Sequence, residues 1–290
     1  MPPRSAQYWE SRPLGRVRCG LCPRRCLLEE GRRGRCGARE NAGGAMAIPF
    51  YGLVSSIAMD PVEKKPLSRF MPGTLTFSVG LWHCTMECPF CQNWEIAHPF
   101  PEAASKGGLS AGSLDPDALV NLACESGAPS ISFTYSEPCL HAEYLLDCLP
   151  LARRRGLKTI LVTNGCLEKG PAQAILDHVD ASNIDLKSPS PRTYESVLGG
   201  SLEAVLRFIR IAASRCHVEL TSLAVPGILD KEEEFQALGK LVAAIDPSIP
   251  LHATCYRPAY RWRKAPLRPE RVRSLAEAAR PWVEDLIIHA

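Results

Sequence analysis

The chain has 290 residues, of which 46% are hydrophobic and 22% are charged, and its formal net charge is only +3. These values suit one substantial α/β domain with a small appendage, or two modest domains. The mean hydropathy is −0.08 and no apolar run approaches the roughly 18 residues of a spanning helix, which predicts a soluble protein with no membrane partner.

Cysteine usage and the N-terminus bear on the compartment. The first residues lack the basic-then-apolar layout of a signal peptide, which predicts a cytoplasmic protein. Because the cytoplasm keeps thiols reduced, thirteen cysteines argue against a disulfide framework. They favour metal or cluster ligation wherever they lie close together in the sequence.

The first 74 residues are predicted to form a small cysteine-rich, metal-binding extension. This segment is rich in arginine and glycine, ends in hairpin-like pieces around residues 47–56, and carries four cysteines: Cys19, Cys22, Cys26 and Cys36. Its core would be too small to fold unaided, so we expect a metal to stabilise it. Four thiolates fit structural zinc, with Zn–S bonds of ~2.3 Å. They fit an auxiliary [4Fe–4S] cluster equally well, and free thiols in a basic knuckle are the third alternative.

Basic residues are concentrated in two stretches. The first 40 residues hold ten arginines against four glutamates, and a second basic stretch spans residues 256–273. Such patches are typical of proteins that bind acidic partners or nucleic acid, although a solvated face without a partner explains them as well.

From residue 75 onward, apolar β-rich runs alternate with helical patterns. Strands are predicted at 75–81, 130–135, 159–164, 181–186, 217–225, 250–256 and 285–290, and helices at 115–126, 138–155, 171–179, 201–214, 231–245 and 269–279. Asp115 is a candidate N-cap, Gly156 lies just past a helix end, and residues 105–113 are predicted to be a flexible loop.

The alternation predicts the fold class. Strands that are nearly continuous hydrophobic runs, separated by amphipathic helices, indicate a parallel sheet buried on both faces. Six or seven strand–helix units fall short of the eight that close a full barrel, so we predict an α/β fold of the open, partial TIM-like (β/α)6 type. The predicted domains are the extension, residues 1–74, and the barrel, residues 75–290.

Three cysteines, Cys84, Cys88 and Cys91, lie within eight positions directly after the first predicted strand of the barrel. Three thiolates can hold three irons of a [4Fe–4S] cluster and leave the fourth iron open, unlike the usual four-cysteine ligation. An open iron lets a substrate or cofactor bind the cluster directly, and Phe90 can shield the cluster from water. The alternative is three unligated buried cysteines. The remaining six cysteines are scattered and resemble small buried hydrophobic residues.

The pattern Cys-x3-Cys-x-aromatic-Cys resembles the signature of the radical S-adenosylmethionine (SAM) enzymes. The resemblance implies that the amino and carboxylate groups of SAM bind the open iron. It also implies that one electron from the cluster cleaves the S–C5′ bond and gives a 5′-deoxyadenosyl radical that abstracts hydrogen.

Further segments resemble SAM-binding elements of that superfamily, at the carboxyl ends of later strands. TYSEP (134–138) resembles the Gly-Gly-Glu-Pro segment, which implies that Ser136 and Glu137 hold the methionine amino group. TNG (163–165) supplies Asn164 at the end of the next strand.

The remaining implied SAM contacts come from four positions. IDLK (184–187) resembles the Asp-x-Lys element of the activases, in which Lys187 would meet the SAM carboxylate; Asp185 is alternatively a capping or turn residue. His252 and Asn93 match a histidine and an asparagine that contact SAM in activases. A lone strand histidine is as often a satisfied core residue.

Taken together, seven segments resemble one branch, the radical SAM member of the AmmeMemoRadiSam system, which is similar to pyruvate formate-lyase activating enzyme. They are VRCGLCPRRCLLEEGRRGRCGARE, YGLVSSIAMDPVEKKPL, CPFCQNWEI, FTYSEP, TNG, DLK and TSLAVPG. The resemblance implies SAM, a reductant such as flavodoxin or ferredoxin, and functional partners among the other proteins of that system, including the Memo-like one. Where family members usually read Gly-Cys-Asn, this chain reads His83-Cys84-Thr85.

Within DPVEKKPL, Glu63, Lys64 and Lys65 either line the active-site mouth or pair with each other at the surface, and we favour pairing.

Three functions are compatible with these features. The first is a radical SAM oxidoreductase that abstracts hydrogen from a protein or peptide, as glycyl-radical activases do, with the cofactor carrying the hard chemistry. The second directs the same chemistry at a small molecule or RNA. The third is a non-enzymatic nucleic-acid binder or electron carrier with a cluster or zinc, which leaves FTYSEP, TNG and DLK unexplained.

Overall fold

The structure is a computed structural model that describes residues 4–99 and 112–290. The flexible loop predicted at 105–113 therefore lies outside the described residues for most of its length. Its last two residues, Gly112 and Ser113, form a short strand instead, because their backbone pairs with Val54 and Leu53.

The extension contains two small antiparallel sheets. Its strands are β1 (Arg4–Ser5), β2 (Trp9–Arg12), β3 (Arg16–Cys19), β4 (Leu27–Leu28), β5 (Glu40–Ala42) and β6 (Ala45–Ile48). Strands β2, β3 and β4 form one sheet, and β1, β6 and β5 form the other. Buried side chains such as Val17, Leu28 and Met46 belong to the same apolar cluster as Phe133 and Leu161 of the barrel, so the extension shares the barrel's main core.

A nine-stranded sheet forms the centre of the molecule. Its strands are β7 (Leu53–Pro61), β8 (Leu75–Leu81), β9 (Gly112–Ser113), β10 (Ser130–Thr134), β11 (Lys158–Thr163), β12 (Ala181–Asp185), β13 (His217–Ala224), β14 (Leu251–Cys255) and β15 (Leu286–His289). Strand β8 and the strands from β10 to β15 are parallel and lie side by side in chain order.

The connection between strands confirms the predicted partial barrel. Six strand–helix units begin at β8 and are followed by β15, and among the described residues the two edge strands, β9 and β15, do not pair. Strand β7 is antiparallel to β8 over most of its length. The boundary that we predict between residues 74 and 75 thus lies between two paired strands, and the part with sheets of its own ends at Ile48.

Helices connect the parallel strands. They are α1 (Trp94–Ala97), α2 (Pro116–Glu125), α3 (Ala142–Arg154), α4 (Lys169–Leu176), α5 (Pro191–Thr193), α6 (Leu202–Ala213), α7 (Glu232–Ala243) and α8 (Pro269–Glu277), with 3₁₀ turns at Val62–Lys64, Pro138–His141 and Arg280–Trp282 and a π turn at Tyr194–Leu198. The two residues that we predict to mark helix ends are confirmed. The Asp115 carboxylate accepts a hydrogen bond from the Ala118 N–H at 2.8 Å, and Gly156 follows α3 with φ +83°.

A buried ion pair fastens the extension to the barrel. The side chain of Arg39, 1% exposed, donates from Nη2 to Oε2 of Glu143 on α3 at 2.6 Å. The other Glu143 oxygen accepts from the Gln7 N–H at 2.7 Å, and Arg39 Nη1 donates to the Gln7 carbonyl at 3.1 Å. The pair therefore links three segments that are far apart in the sequence.

Candidate functional site

The loop after β8 brings the three predicted cluster cysteines to one cavity. Cys84, Cys88 and Cys91 all line a cavity of about 290 Å³, together with the buried ring of Phe90. Cys88 is buried and the other two are partly buried. The loop begins at His83, whose φ of +74° reverses the chain directly after the strand. The cavity therefore lies at the carboxyl edge of the parallel sheet, where barrel enzymes carry their active sites.

The chemistry of these three donors fits an iron–sulfur cluster. Burial raises the pKa of all three thiols, that of Cys88 to about 11, so a bound cation is needed to keep them as thiolates. Within residues 4–99 and 112–290, no group of three or more Cys, His, Asp or Glu side chains is arranged to hold a single metal ion. Such an ion would require sulfurs within about 4 Å of each other. A four-iron cluster spreads its thiolates over several irons, and three thiolates around one cavity suit it better.

Asn164, directly after β11, connects the cavity wall to the cysteine loop. Its Nδ2 donates to Cys84 Sγ at 3.5 Å and to Thr85 Oγ1 at 2.9 Å, and the Met86 N–H also donates to Cys84 Sγ at 3.4 Å. Hydrogen bonds to cysteine sulfur tune the reduction potential of iron–sulfur sites. The structure thus brings the predicted Asn164 to the predicted cluster ligands.

Asp185 and Lys187, at the end of β12, form a charged pair on the same wall. Lys187 Nζ donates to Asp185 Oδ2 at 2.7 Å, and both residues line the cysteine cavity. Burial alone would lower the pKa of Lys187, but the Asp185 carboxylate and the Cys88 thiol raise it above its ordinary value. The lysine is therefore cationic and placed beside Cys88. The Asp185 carboxylate bonds a side chain only two residues further on, so its alternative role as a capping or turn residue stays open beside the predicted SAM contact.

Ser136 and Asn93 also line this cavity. The Ser136 hydroxyl donates to the Leu81 carbonyl at 2.6 Å, which ties the turn after β10 to the end of β8. The Asn93 amide donates to the Tyr135 carbonyl at 2.6 Å. Both residues thus lie on the lining of the cavity that the three cysteines share, and their contact with SAM stays a prediction.

Glu137 requires a correction, because its carboxylate does not line the cavity. It is 1% exposed and accepts from the Thr163 hydroxyl at 2.7 Å, from the Asn164 N–H at 2.8 Å and from the Cys139 N–H at 3.0 Å. Burial raises its pKa even though these donors act in the opposite direction. Glu137 therefore holds the turn that carries Asn164, and is not presented to an ammonium in the cavity.

His252 is the second correction. It is fully buried at the second residue of β14, near the amino edge of the strand, whereas the cavity lies at the carboxyl edge. Its Nε2 bonds Glu219 Oε2 at 2.6 Å and its Nδ1 bonds His289 Nε2 at 2.9 Å. Both ring nitrogens are occupied, so His252 is a satisfied core residue and does not contact a ligand in this cavity.

The four cysteines of the extension lie near one another. Cys19 and Cys22 are buried and Cys26 and Cys36 partly buried, and a Cβ at Gly34 would lie 3.6 Å from Cys36 Sγ and 4.0 Å from Cys26 Sγ. As in the rest of residues 4–99 and 112–290, three or more of these side chains are not arranged to hold a single metal ion, and a metal at this site stays a prediction. The knuckle itself contacts the cluster loop, because Arg24 Nε donates to the Thr85 carbonyl at 3.4 Å and Arg35 pairs with Glu87.

A second cavity, of about 650 Å³, adjoins the first. Of the residues that line it, we single out only Lys64, Lys65 and Asn93 from the sequence. Lys64 and Lys65 line it and donate to Asp60 at 3.1 Å and 2.7 Å, whereas Glu63 accepts from the Gly73 N–H at 2.6 Å. The predicted pairing of these three residues with each other is therefore wrong, and their place at an active-site mouth stays a prediction. Tyr135 also lines this cavity, and we assign it no role from the sequence. Its position immediately after a strand and before Ser136 was the available signal, and its φ of +70°, rare for an aromatic residue, marks it in the structure.

Comparison with known proteins gives the class. Residues 83–241, more than half of the chain, match the family model of the radical SAM superfamily. The chain therefore belongs to the radical SAM superfamily, for which a [4Fe–4S] cluster and SAM are the implied cofactors. Within the described ranges, no helix combines the length and apolarity needed to cross a bilayer.

Relatives point toward activating enzymes. An uncharacterized protein of Methanocaldococcus jannaschii is 35% identical over 279 residues, which is 94% of this chain and 81% of that protein. A pyruvate formate-lyase-activating enzyme of Clostridium pasteurianum is 25% identical over 179 residues, 59% of this chain and 70% of the enzyme. The chain is thus similar to pyruvate formate-lyase-activating enzymes at low identity.

Solved structures agree on the fold. Streptococcus suis SuiB bound to S-adenosylmethionine has a TM-score of 0.55 at 15% identity, covering 75% of this chain and 52% of SuiB. QueE from Escherichia coli has a TM-score of 0.53 at 17% identity, covering 83% and 96%. At such identities the likeness concerns the fold alone.

Proposed function

We propose that this protein is a radical SAM enzyme that cleaves SAM reductively and abstracts hydrogen from a protein or peptide substrate, as in glycyl-radical enzyme activation. The observation that carries the proposal is the single cavity in which Cys84, Cys88 and Cys91 meet Asn164 and Lys187 from two other strand ends. Three thiolates can hold three irons of a [4Fe–4S] cluster and leave the fourth iron open, and the polar side chains on the same lining are available to a molecule bound there.

Four residues of the cysteine loop would bind and shield the cluster. Cys84, Cys88 and Cys91 would hold the [4Fe–4S] cluster, and Phe90 would keep water from it. A cluster held by these residues would supply the electron for reductive cleavage of the S–C5′ bond of SAM, which would give a hydrogen-abstracting 5′-deoxyadenosyl radical.

Polar side chains on the lining of the same cavity would orient SAM. The ammonium of Lys187, paired with Asp185 at 2.7 Å, is suited to a carboxylate, because charge-assisted hydrogen bonds are the stronger kind. The Ser136 hydroxyl and the Asn93 amide offer neutral polar contacts on the same cavity. Glu137 and Asn164 would act on the protein side, holding the turn against the cysteine loop.

The choice of a protein substrate is supported by the relatives named as activating enzymes, which act on other proteins by the wording of their names. We further propose a flavodoxin or ferredoxin as reductant, functional partners among the AmmeMemoRadiSam proteins, and zinc or a second cluster at Cys19, Cys22, Cys26 and Cys36.

Anaerobic reconstitution with iron and sulfide, followed by dithionite and SAM, tests the proposal. We expect 5′-deoxyadenosine from the wild type and a loss of at least about a hundredfold in Cys88→Ala, because a cluster with only two cysteine ligands is not held. Cys124→Ala is the matched control, since Cys124 lies on α2 outside the cavity and its loss should leave product formation unchanged. Equal product from Cys88→Ala and wild type, or no product from wild type with a full cluster, would contradict the proposal.

A further inference from the structure

The second cavity adjoins the cysteine cavity. The two share five lining residues: Lys64, Gln92, Asn93, Tyr135 and Leu223. The 650 Å³ cavity therefore lies next to the place where SAM would react, and a molecule in it would lie beside that reaction centre. Its other lining residues are Asp60, Lys65, Cys255 and Arg257, none of which lines the cysteine cavity.

Positive charge dominates this second cavity. Three cations, Lys64, Lys65 and Arg257, face one carboxylate, Asp60, which leaves an excess of two positive charges on the lining. The Asp60 carboxylate is shared, since it accepts from Lys64 at 3.1 Å and from Lys65 at 2.7 Å. Two ammonium groups that share one carboxylate remain incompletely neutralised, and both can donate to a further anion.

Lys65 is the most unusual of these cations because it is buried. Its side chain is 2% exposed, and its Nζ lies 4.5 Å from the centre of the Tyr135 ring and 3.5 Å from the Tyr135 hydroxyl. The Tyr135 hydroxyl in turn donates to Asp60. A buried lysine needs such partners, since desolvation of an ammonium is costly. Asp60, Lys65 and Tyr135 thus form a fixed polar group in the cavity wall, and Tyr135 adopts a left-handed backbone to join it.

Arg257, from the segment after β14, also lines the second cavity. Among the described residues its guanidinium has no ion pair or hydrogen bond, whereas its backbone carbonyl accepts from the Gln92 side chain at 2.7 Å. The backbone is therefore anchored to the cluster loop while the side chain is free. A planar guanidinium with five donors suits a carboxylate or a phosphate.

We infer that this second cavity binds an anionic group of the substrate, a carboxylate or a phosphate, beside the site of hydrogen abstraction. The inference rests on the proposed function, which supplies the radical chemistry in the adjoining cavity. It narrows the substrate to a molecule or peptide segment that carries negative charge close to the reacting carbon.

The test is isothermal titration calorimetry on the anaerobically reconstituted, SAM-saturated protein at low ionic strength, where charge attraction is not screened. Orthophosphate and acetate are titrated separately, as probes for a phosphate and a carboxylate. We expect saturable binding of at least one anion, and about tenfold weaker binding in Arg257→Gln, the usual loss for one charged hydrogen-bond donor. The tighter of the two probes identifies the kind of anion.

The matched control is Arg268→Gln, which removes the same charge from an exposed residue just before α8 and outside both cavities. Equal weakening in Arg257→Gln and Arg268→Gln, or no saturable binding of either anion, would overturn the inference. SAM cleavage by the same wild-type preparation separates the two proposals. Cleavage without anion binding rejects the anion site alone, whereas anion binding without cleavage supports that site and rejects the proposed reaction.

Discussion

Replacing Arg39 by methionine should destabilise the contact between the extension and the barrel and lower the free energy of unfolding. The arginine is 1% exposed and its partner Glu143 3% exposed, so Arg39→Met leaves a buried carboxylate without its cation. Breaking a buried ion pair in this way costs about 3–5 kcal/mol of the free energy of unfolding, since the remaining charge is uncompensated. The Gln7 carbonyl also loses its donor at 3.1 Å. For a chain of this length, a loss of ~4 kcal/mol lowers Tm by roughly 7 °C.

Guanidinium chloride unfolding followed by circular dichroism, with calorimetry for Tm, measures this loss. Arg32→Met is the control, since Arg32 is exposed and seven residues away. The double variant Arg39→Met/Glu143→Leu should regain most of the stability, because no lone charge then remains buried. A loss below ~1 kcal/mol in Arg39→Met, or a double variant as unstable as the single one, would refute the reasoning.

Two further predictions concern Glu219 and Lys187. Glu219 is buried, and although burial alone would raise its pKa, hydrogen bonds from His217, His252 and two backbone N–H groups lower it. Because its pKa is depressed in the folded state, the Glu219 carboxylate contributes its full stabilisation above the ordinary pKa of 4.5, and this stabilisation is lost progressively as the pH falls below that value. Glu219→Gln should thus lose ~2–3 kcal/mol at pH 7 and show a flatter decline in unfolding free energy from pH 5 to pH 3; parallel wild-type and variant curves would contradict this. Lys187→Met should weaken SAM binding about tenfold in equilibrium dialysis, while Lys169→Met, on the surface of α4, should not. Equal dissociation constants in the two variants would exclude Lys187 from SAM binding.

Local patterns predicted the elements well. Strand β8 spans the predicted residues 75–81, and α6 occupies residues 202–213 of the predicted 201–214. Ser201 caps α6, as its hydroxyl accepts from the Ala204 N–H at 3.3 Å. These features depend on hydrophobic period and on capping within one turn, both of which are written in adjacent residues. The cysteine loop was predictable for the same reason.

Side-chain partners across the fold were not predictable. His252 finds Glu219 and His289 at 33 and 37 residues' distance, and only the register of three strands brings them together. Glu137 turns to Thr163 on the next strand, and Lys65 reaches Asp60 within a buried group that includes Tyr135. A strand pattern says which residues alternate between faces, but not which long-range partner satisfies a polar group. Strand β7 was missed as part of the main sheet, although the alternation in LVSSIAMDP was a signal for it.

The open iron is tested most directly by electron paramagnetic resonance of the reconstituted, dithionite-reduced protein, recorded with and without SAM. The account predicts a reduced [4Fe–4S] signal whose g values change when SAM is added, and the absence of that SAM-sensitive signal in Cys88→Ala. A reduced cluster whose spectrum is identical with and without SAM would contradict the central claim, because it would mean that no iron in this cavity is free to bind it.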